Sequence, residues 1–283
     1  MNTVALVAPA GPVAPDLLER ALAVLDGWGV RVRNLVTPGS RHPAAPYLAD
    51  TDAARAKLFT EAWLDPAVHA VLAARGGYGT QRMLDLLDWT ALRGGGAKMF
   101  AGSSDVTALH AAIHWHLGLP TLLSPMPAGD LWDDVGGERL RRALFTPGAV
   151  TVSGTEALVP GAARGRLTGG NLSLLASSVG TPEQGSARNA IVALEDVAEP
   201  VYRLDRMLRA GWFDGVAGVV LGTWTRCGEP ADVRALMLDR LSPLGVPVLA
   251  GVPFGHVVGS VTVPLGVEAV LDTANLRVST HAA

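Results

Sequence analysis

Cysteine is almost absent from this sequence, and its scarcity excludes two classes of site. The 283 residues contain one cysteine, Cys227, so no disulfide can form within the chain and no multi-cysteine metal site is possible. A single cysteine fits a reducing compartment and is most simply structural. The sequence also lacks any run of 18 or more apolar residues, which argues against a membrane-spanning helix.

An excess of charge of either sign is missing as well. The chain has 23 Lys and Arg residues against 26 Asp and Glu residues, a formal net charge of −3. This near balance does not favour a nucleic acid or a membrane surface as a partner, and we expect neither. No Lys or Arg precedes the first apolar stretch, which Pro9 and Pro12 interrupt. We therefore expect a first strand rather than a signal peptide, and a cytoplasmic protein.

Short apolar runs alternate with amphipathic helical patterns through the first half of the chain. Strands are predicted at 3–9, 30–36, 70–75 and 98–102, and helices at 14–29, 50–66, 79–89 and 105–118. Such alternation predicts a parallel sheet with crossover helices. Beyond a Gly- and Pro-rich stretch at 145–165, several short strands and few long helices suggest an α+β or barrel-like second unit. We place the two domains at 1–148 and 160–283.

Two segments of small residues follow consecutive predicted strands. They are ARGGYGT, residues 74–80, and AGSSD, residues 101–105. Because functional groups collect at the carboxyl ends of parallel strands, we expect them to share a site. The second segment matches only half of the G-x-S-x-G pattern, which forms a turn that presents a nucleophilic serine, since Val106 replaces the second glycine. Taken alone, Ser103 and Ser104 are more often helix caps.

A carboxylate and a histidine later in the chain extend this pattern. Glu195 ends an apolar strand, and His256 follows a Pro-Phe-Gly turn. Either residue alone is more often structural. Together with Ser104 they follow the chain order Ser…Asp/Glu…His of triad hydrolases. His110 and His114 have the i, i+4 spacing of a metal pair, but no H-E-x-x-H pattern or third carboxylate ligand accompanies them, so we expect no metal.

Taken together, these segments resemble the LD-carboxypeptidase family of serine peptidases, which contains the muramoyltetrapeptide carboxypeptidases and the microcin C self-immunity peptidases. The segments that carry the resemblance are ARGGYGTQRML, KMFAGSSDVTALH, GRLTGGNLSLLASSVGT, VALEDVAEPVYRLDRML, GVVLGTW and VPFGHVVGSVTVPLG. It implies an α/β fold with an N-terminal flavodoxin-like parallel-sheet domain and a swivelling β/α, barrel-like C-terminal domain. It also implies a homodimer and no metal or organic cofactor.

The resemblance further implies a Ser-Glu-His triad assembled between the two domains. Ser104 matches the nucleophile, His256 the acid and base that moves the proton, and Glu195 the carboxylate that orients the histidine. The backbone N–H groups of Asp105 and Gly77 are the candidates for the oxyanion hole. Ser103 stands where an aromatic residue is common in the family and is the rival nucleophile.

A carboxypeptidase must also hold a terminal carboxylate, and a guanidinium group binds carboxylate in a bidentate way. Our candidates for this task are Arg75, Arg203 and Arg206, each of which could equally form a salt bridge between domains. The leading hypothesis is release of the C-terminal D-alanine from a small peptide, the murein tetrapeptide, in peptidoglycan recycling.

Two alternatives remain open at this point. The first is cleavage of a peptide–nucleotide conjugate, as in the microcin C immunity enzymes, with Trp132 or Trp224 stacking a base. The second is a non-catalytic module that binds a small ligand, which predicts that Ser104, Glu195 and His256 lie far apart.

Overall fold

The structure is a computed structural model that describes residues 2–146 and 148–279. The strands are β1 (Thr3–Val7), β2 (Arg31–Asn34), β3 (Val68–Ala73), β4 (Met99–Gly102), β5 (Thr121–Leu123), β6 (Ala149–Ser153), β7 (Glu156–Val159), β8 (Ala163–Asn171), β9 (Ala190–Val197), β10 (Gly218–Thr225), β11 (Val248–Ala250), β12 (Val263–Leu265), β13 (Glu268–Leu271) and β14 (Asn275–Ser279). The α-helices are α1 (Pro15–Gly27), α2 (Asp52–Leu64), α3 (Thr80–Met83), α4 (Trp89–Gly94), α5 (Thr107–Leu117), α6 (Asp134–Phe145), α7 (Leu172–Ser177), α8 (Arg203–Arg209) and α9 (Pro230–Leu241).

The first sheet has the strand order β12-β5-β4-β3-β1-β2. All neighbouring pairs from β2 to β5 are parallel, as the sequence predicted, and only β12 runs antiparallel, against β5. Every residue of β1 is buried, because helices cover both faces of the sheet. Phe59 of α2 and Ile113 of α5 pack on one face, and Leu25 of α1 and Leu140 of α6 on the other.

The second sheet has the order β6-β14-β13-β8-β9-β10-β11-β7. Its central strands β8 to β11 are parallel, and the outer pairs are antiparallel. β9 is buried from Ala190 to Asp196, which explains its continuous apolar run. The predicted α/β fold is thus confirmed, with a parallel-sheet unit followed by a unit built on a mixed sheet.

Three local features differ from what the sequence suggested or were not predicted. The expected helix 79–89 is broken into α3, a 3₁₀ turn and α4, because the Asp88 side chain accepts a hydrogen bond from the Ala91 N–H and starts a new helix. Gly169 and Gly170 lie within β8, near its carboxyl end. β12, from the second half of the chain, extends the first sheet, so the domain limits 1–148 and 160–283 stay a prediction.

The two units meet where α5 begins and β8 ends. The Asn171 N–H donates to Thr107 Oγ1 at 3.0 Å, and a Cβ atom at Gly170 would lie 2.7 Å from that same oxygen. This close approach places the carboxyl ends of β4 and β9 next to the boundary between the two units, which we call the seam. Along the described ranges, none of the helices is long and apolar enough to cross a membrane.

Candidate active site

Ser104 occupies the turn between β4 and α5 in a strained backbone conformation. Its φ is +63°, in the left-handed region that residues other than glycine rarely adopt, at a cost of about 1–3 kcal/mol. Residues 104–106 form one 3₁₀ turn that leads directly into α5. A sharp turn after a parallel strand presents a side chain above the sheet edge, so the half-matched G-x-S-x-G pattern does correspond to such a turn.

The glycine-rich segment after β3 packs against this serine. β3 and β4 are parallel neighbours, so their carboxyl ends meet, as the sequence predicted. A Cβ atom at Gly76 would lie 2.9 Å from Ser104 Cβ and 3.0 Å from its Oγ, so any larger residue there would displace the serine side chain. The backbone of 76–77 therefore forms one wall beside the serine hydroxyl.

Asp105 anchors the serine turn to the same glycine-rich segment. Its carboxylate is buried and accepts hydrogen bonds from the backbone N–H of Thr80, at 2.8 Å, and from the Thr80 hydroxyl, at 2.5 Å. Burial raises the pKa of Asp105, although the hydrogen bonds from Thr80 and Gly79 favour its charged form. The Asp105 side chain thus links the serine turn to the glycine-rich segment by hydrogen bonds, and we refer to this role as a strut.

Glu195 and His256 form a direct pair on the other side of the seam. Oε2 of the completely buried Glu195 lies 2.6 Å from His256 Nδ1. The other oxygen, Oε1, accepts a hydrogen bond from Asn171 Nδ2 at 3.3 Å. Gly255 has a φ of +103°, and a Cβ atom there would lie 2.5 Å from Glu195 Oε2, so only glycine lets the loop bring His256 this close.

The electrostatics of this pair favour a protonated histidine. Burial of the ring opposes its charged form, but the hydrogen bond to Glu195 and the negative charges of Glu195 and Asp196 outweigh burial and raise the pKa of His256 above its ordinary 6.5. Since Glu195 engages Nδ1, the ring nitrogen left for proton transfer is Nε2. A hydrogen bond of 2.6 Å from Thr225 Oγ1 to the His256 carbonyl holds the loop in place.

Ser104 and His256 line one cavity of about 490 Å³. Gly77, one of the two expected oxyanion donors, lines it as well, and so does Ser103. No hydrogen bond joins Ser104 to His256 within the ranges that the structure covers, and such a bond is often loose without substrate. A hydroxyl, an imidazole oriented by a buried carboxylate, and backbone N–H groups around one cavity are what acyl transfer requires.

The three arginine candidates are separated by the structure. Arg75 lines the Ser104 cavity and donates a hydrogen bond of 3.0 Å to the carbonyl of Pro12. Arg203 and Arg206 lie on α8 and line a different cavity, which neither Ser104 nor His256 borders. There Arg203 pairs with Glu199, so only Arg75 is brought to Ser104 and His256.

Two charged residues of this cavity escaped the sequence analysis. Arg226 and Asp130 both line it. Arg226 directly follows β10, so the rule that placed Ser104 at a strand end could also have found it. Trp132 borders the same cavity, whereas Trp224 borders another one, beside Met237 of α9.

The histidines of α5 each have a separate partner. His110 is buried and its Nε2 contacts the Gly102 carbonyl at 3.0 Å, and burial lowers its pKa to about 4. His114 contacts Arg166 and His116 contacts Glu183. Among the residues described, no three His, Cys, Asp or Glu side chains are grouped so that they could hold a metal ion.

Known proteins resemble this chain over nearly its whole length. A family profile described as "LD-carboxypeptidase N-terminal domain" matches residues 4–124, and one described as "LD-carboxypeptidase C-terminal domain" matches residues 164–271. A putative carboxypeptidase of Streptomyces coelicolor is 51% identical over 280 residues, which cover 95% of this chain and 90% of the relative.

Two further matches are a named relative and a solved structure. A murein tetrapeptide carboxypeptidase of Pseudomonas aeruginosa is 32% identical and is covered to 94%, with 97% of this chain aligned. The crystal structure of an MccF-like protein from Bacillus anthracis superposes with a TM-score of 0.88 at 22% identity, over 99% of this chain and 97% of the other. At that identity the structural match shows the shared fold alone.

Proposed function

The chain belongs to the LD-carboxypeptidase family, and from that premise we propose that it is a serine carboxypeptidase that releases the C-terminal D-alanine from a murein tetrapeptide. The observation that carries the proposal is the distance of 2.6 Å between the buried Glu195 carboxylate and Nδ1 of His256, because His256 lines one cavity with the strained Ser104. The name of the Pseudomonas relative, a murein tetrapeptide carboxypeptidase, supports the choice of substrate.

In the proposed acylation step, Ser104 Oγ attacks the carbonyl carbon of the L,D peptide bond. His256 Nε2 removes the hydroxyl proton, and Glu195 stabilises the imidazolium that forms. The tetrahedral oxyanion accepts hydrogen bonds from the N–H groups of Asp105 and Gly77, each worth about 3 kcal/mol in the transition state. His256 then gives its proton to the leaving nitrogen, so that free D-alanine departs and an ester to Ser104 remains.

The proposed deacylation step repeats this chemistry with water. His256 takes a proton from a water molecule whose oxygen attacks the ester carbon. The proton then passes to Ser104 Oγ as the ester bond breaks, and the tripeptide leaves as a carboxylic acid that loses its remaining proton to water. Only groups of the chain and water take part, so activity is expected to survive a chelator such as EDTA. Loss of activity that added metal restores would contradict this mechanism.

The biological setting belongs to the same proposal. We place the reaction in the cytoplasm, in peptidoglycan recycling, and the enzyme in a homodimer, as its family resemblance implies. Light scattering coupled to size-exclusion chromatography measures the mass directly. A mass of twice 29.3 kDa is expected, and a monomer at all concentrations would contradict the dimer.

The decisive experiment is mass spectrometry of the products from a synthetic murein tetrapeptide. Wild-type protein is expected to yield free D-alanine and the tripeptide, and Ser104→Ala protein to yield neither. A matched peptide with L-alanine at its C-terminus tests the stereochemistry and is expected to remain intact. An intact D-alanine peptide with folded wild-type protein would refute the proposed activity.

The same assay distinguishes the peptide–nucleotide alternative. Trp132 favours that alternative, because it borders the Ser104 cavity. Its ring, however, already packs against Trp28 at a centroid distance of 6.2 Å, and a Cβ atom at Gly137 would touch it at 2.5 Å. This packing limits its freedom to stack on a base, so we expect the murein peptide to be hydrolysed faster than an aminoacyl sulfamoyl nucleoside.

A further inference from the structure

We propose that Arg226 binds the terminal carboxylate of the residue that leaves, and so restricts cleavage to the last peptide bond. The inference rests on the proposed function and assigns a specificity-determining residue to it. The sequence suggests Arg75, Arg203 and Arg206 for this task. The positions of these three arginines and of Arg226 in the structure favour Arg226 instead.

Arg226 is held against the histidine loop. It follows Thr225, the last residue of β10, whose hydroxyl donates to the His256 carbonyl at 2.6 Å. Its own backbone has a φ of +59°, a left-handed conformation that turns the chain sharply after the strand. Both Arg226 and His256 line the cavity that contains Ser104. The guanidinium group is therefore attached to the histidine side of the cavity.

The charge of Arg226 is available for a ligand. Within residues 2–146 and 148–279, no carboxylate lies within ion-pair distance of it. The same charge opposes the rise in the pKa of His256, which is consistent with a guanidinium close to the ring. An unpaired arginine beside a cavity is suited to an anionic group of a substrate, which a guanidinium can bind through two parallel hydrogen bonds.

The chemistry of the leaving group puts its carboxylate on this same side. His256 must come within hydrogen-bond distance of the leaving nitrogen in order to protonate it. In an α-amino acid a single carbon separates that nitrogen from the carboxyl group. When the last residue of a peptide leaves, its carboxylate must therefore lie next to His256, where Arg226 is the available cation.

The other arginines are less suitable. Arg75 precedes Gly76, which touches Ser104, so Arg75 lies on the serine side, and one of its nitrogens is bonded to the Pro12 carbonyl. Arg203 and Arg206 line a separate cavity on α8.

The test compares a murein tetrapeptide that ends in free D-alanine with the same peptide ending in D-alanine amide. Wild-type protein is expected to prefer the acid by about 10- to 100-fold in kcat/KM, the range for a hydrogen-bonded charge. Arg226→Met is expected to abolish that preference by slowing only the acid, mainly through KM, and Arg226→Lys to restore part of it. Thermal melting checks that each variant is folded.

Each outcome has a distinct meaning. A preference that survives in Arg226→Met, or one that disappears in Arg75→Met instead, overturns the assignment to Arg226 and leaves the proposed peptidase activity intact. If wild-type protein cleaves neither peptide, the proposed function fails and this inference fails with it.

Discussion

The Nδ1 atom of His256 and the Oε2 atom of Glu195 lie 2.6 Å apart, although 61 residues separate them in the chain. Both come from the second unit, one from β9 and the other from the loop after β11, whereas Ser104 comes from the first. The acid and the histidine therefore form a preassembled pair, and the serine is brought to them across the seam where Asn171 bonds Thr107. Because the two parts come from different units, substitutions of Ser104 and of the Glu195–His256 pair should have different effects.

Replacing Ser104 with alanine should abolish activity while Ser103→Ala retains most of it. Ser104 has the strained φ of +63° and touches Gly76, whereas Ser103 has an extended backbone with a φ of −151°. Loss of a nucleophile in a triad costs about 10⁴-fold or more in kcat, and we expect Ser103→Ala to remain within about tenfold of wild type. Steady-state hydrolysis of the tetrapeptide measures both. The reverse ranking would transfer the nucleophile to Ser103.

Glu195→Gln should lower the rate and shift its dependence on pH. The base form of His256 must be neutral, so kcat/KM should fall as the pH drops below its pKa, which lies above 6.5. Glutamine removes the negative charge that raises this pKa, so the acidic limb should move to lower pH. The plateau should fall by about 10⁴-fold, the loss found on neutralising the orienting carboxylate of a triad.

The control for this prediction is Glu138→Gln on α6, where the carboxylate pairs with Arg141 at the surface. Its pH–rate profile should coincide with that of the wild type. An acidic limb that stays in place in Glu195→Gln would mean that His256 is not the titrating base.

The predictable part of this structure is the part controlled by local pattern. Alternating apolar runs and helices identified the parallel sheet, and its strand ends identified the segments around Gly76 and Ser104. Residue type and chain order made Glu195 and His256 candidates, and the family resemblance implied their roles; the structure shows the two side chains in contact. Chain order could suggest a triad because each candidate residue ends or follows a predicted strand.

The unpredictable part depends on contacts between distant segments. β12 joins the first sheet by pairing antiparallel with β5, a contact between distant segments that no local pattern reveals. The arginines show the same limit in part: the position of Arg226 directly after β10 could have drawn attention to it, but only the folded chain shows that Arg203 lines a different cavity from Ser104. Side chains that recognise a substrate are chosen by the shape of a cavity, and that shape exists only after folding.

Asp105→Ala should destabilise the protein by about 2 kcal/mol. The substitution leaves the N–H and the hydroxyl of buried Thr80 without their acceptor, and an unsatisfied buried group costs about 1–3 kcal/mol. Urea unfolding followed by circular dichroism gives the free energy of unfolding. Asp85 has an exposed carboxylate in the 3₁₀ turn after α3. Asp85→Ala should change the free energy of unfolding by less than about 0.5 kcal/mol. Equal effects of the two substitutions would deny Asp105 its role as a strut.

Gly76→Ala should impair catalysis far more than folding. The added methyl group would lie 2.9 Å from Ser104 Cβ and 3.0 Å from Oγ, so the serine must move by a few tenths of an ångström or more. Misplacement of a reacting group by about 1 Å can cost about 100-fold in rate, and we expect kcat to fall by 10- to 100-fold.

The matched control is Gly94→Ala at the end of α4, where a Cβ atom would meet nothing within 4 Å. Its kcat should equal that of the wild type within error, and its melting temperature should be the same or slightly higher because alanine favours a helix over glycine. Because Gly76 lies between β3 and the serine turn rather than in the apolar core, its alanine variant should also melt within a few degrees of wild type. A normal kcat in Gly76→Ala would show that the position of the Ser104 side chain does not limit the reaction, and the acyl-transfer mechanism would then need a different nucleophile.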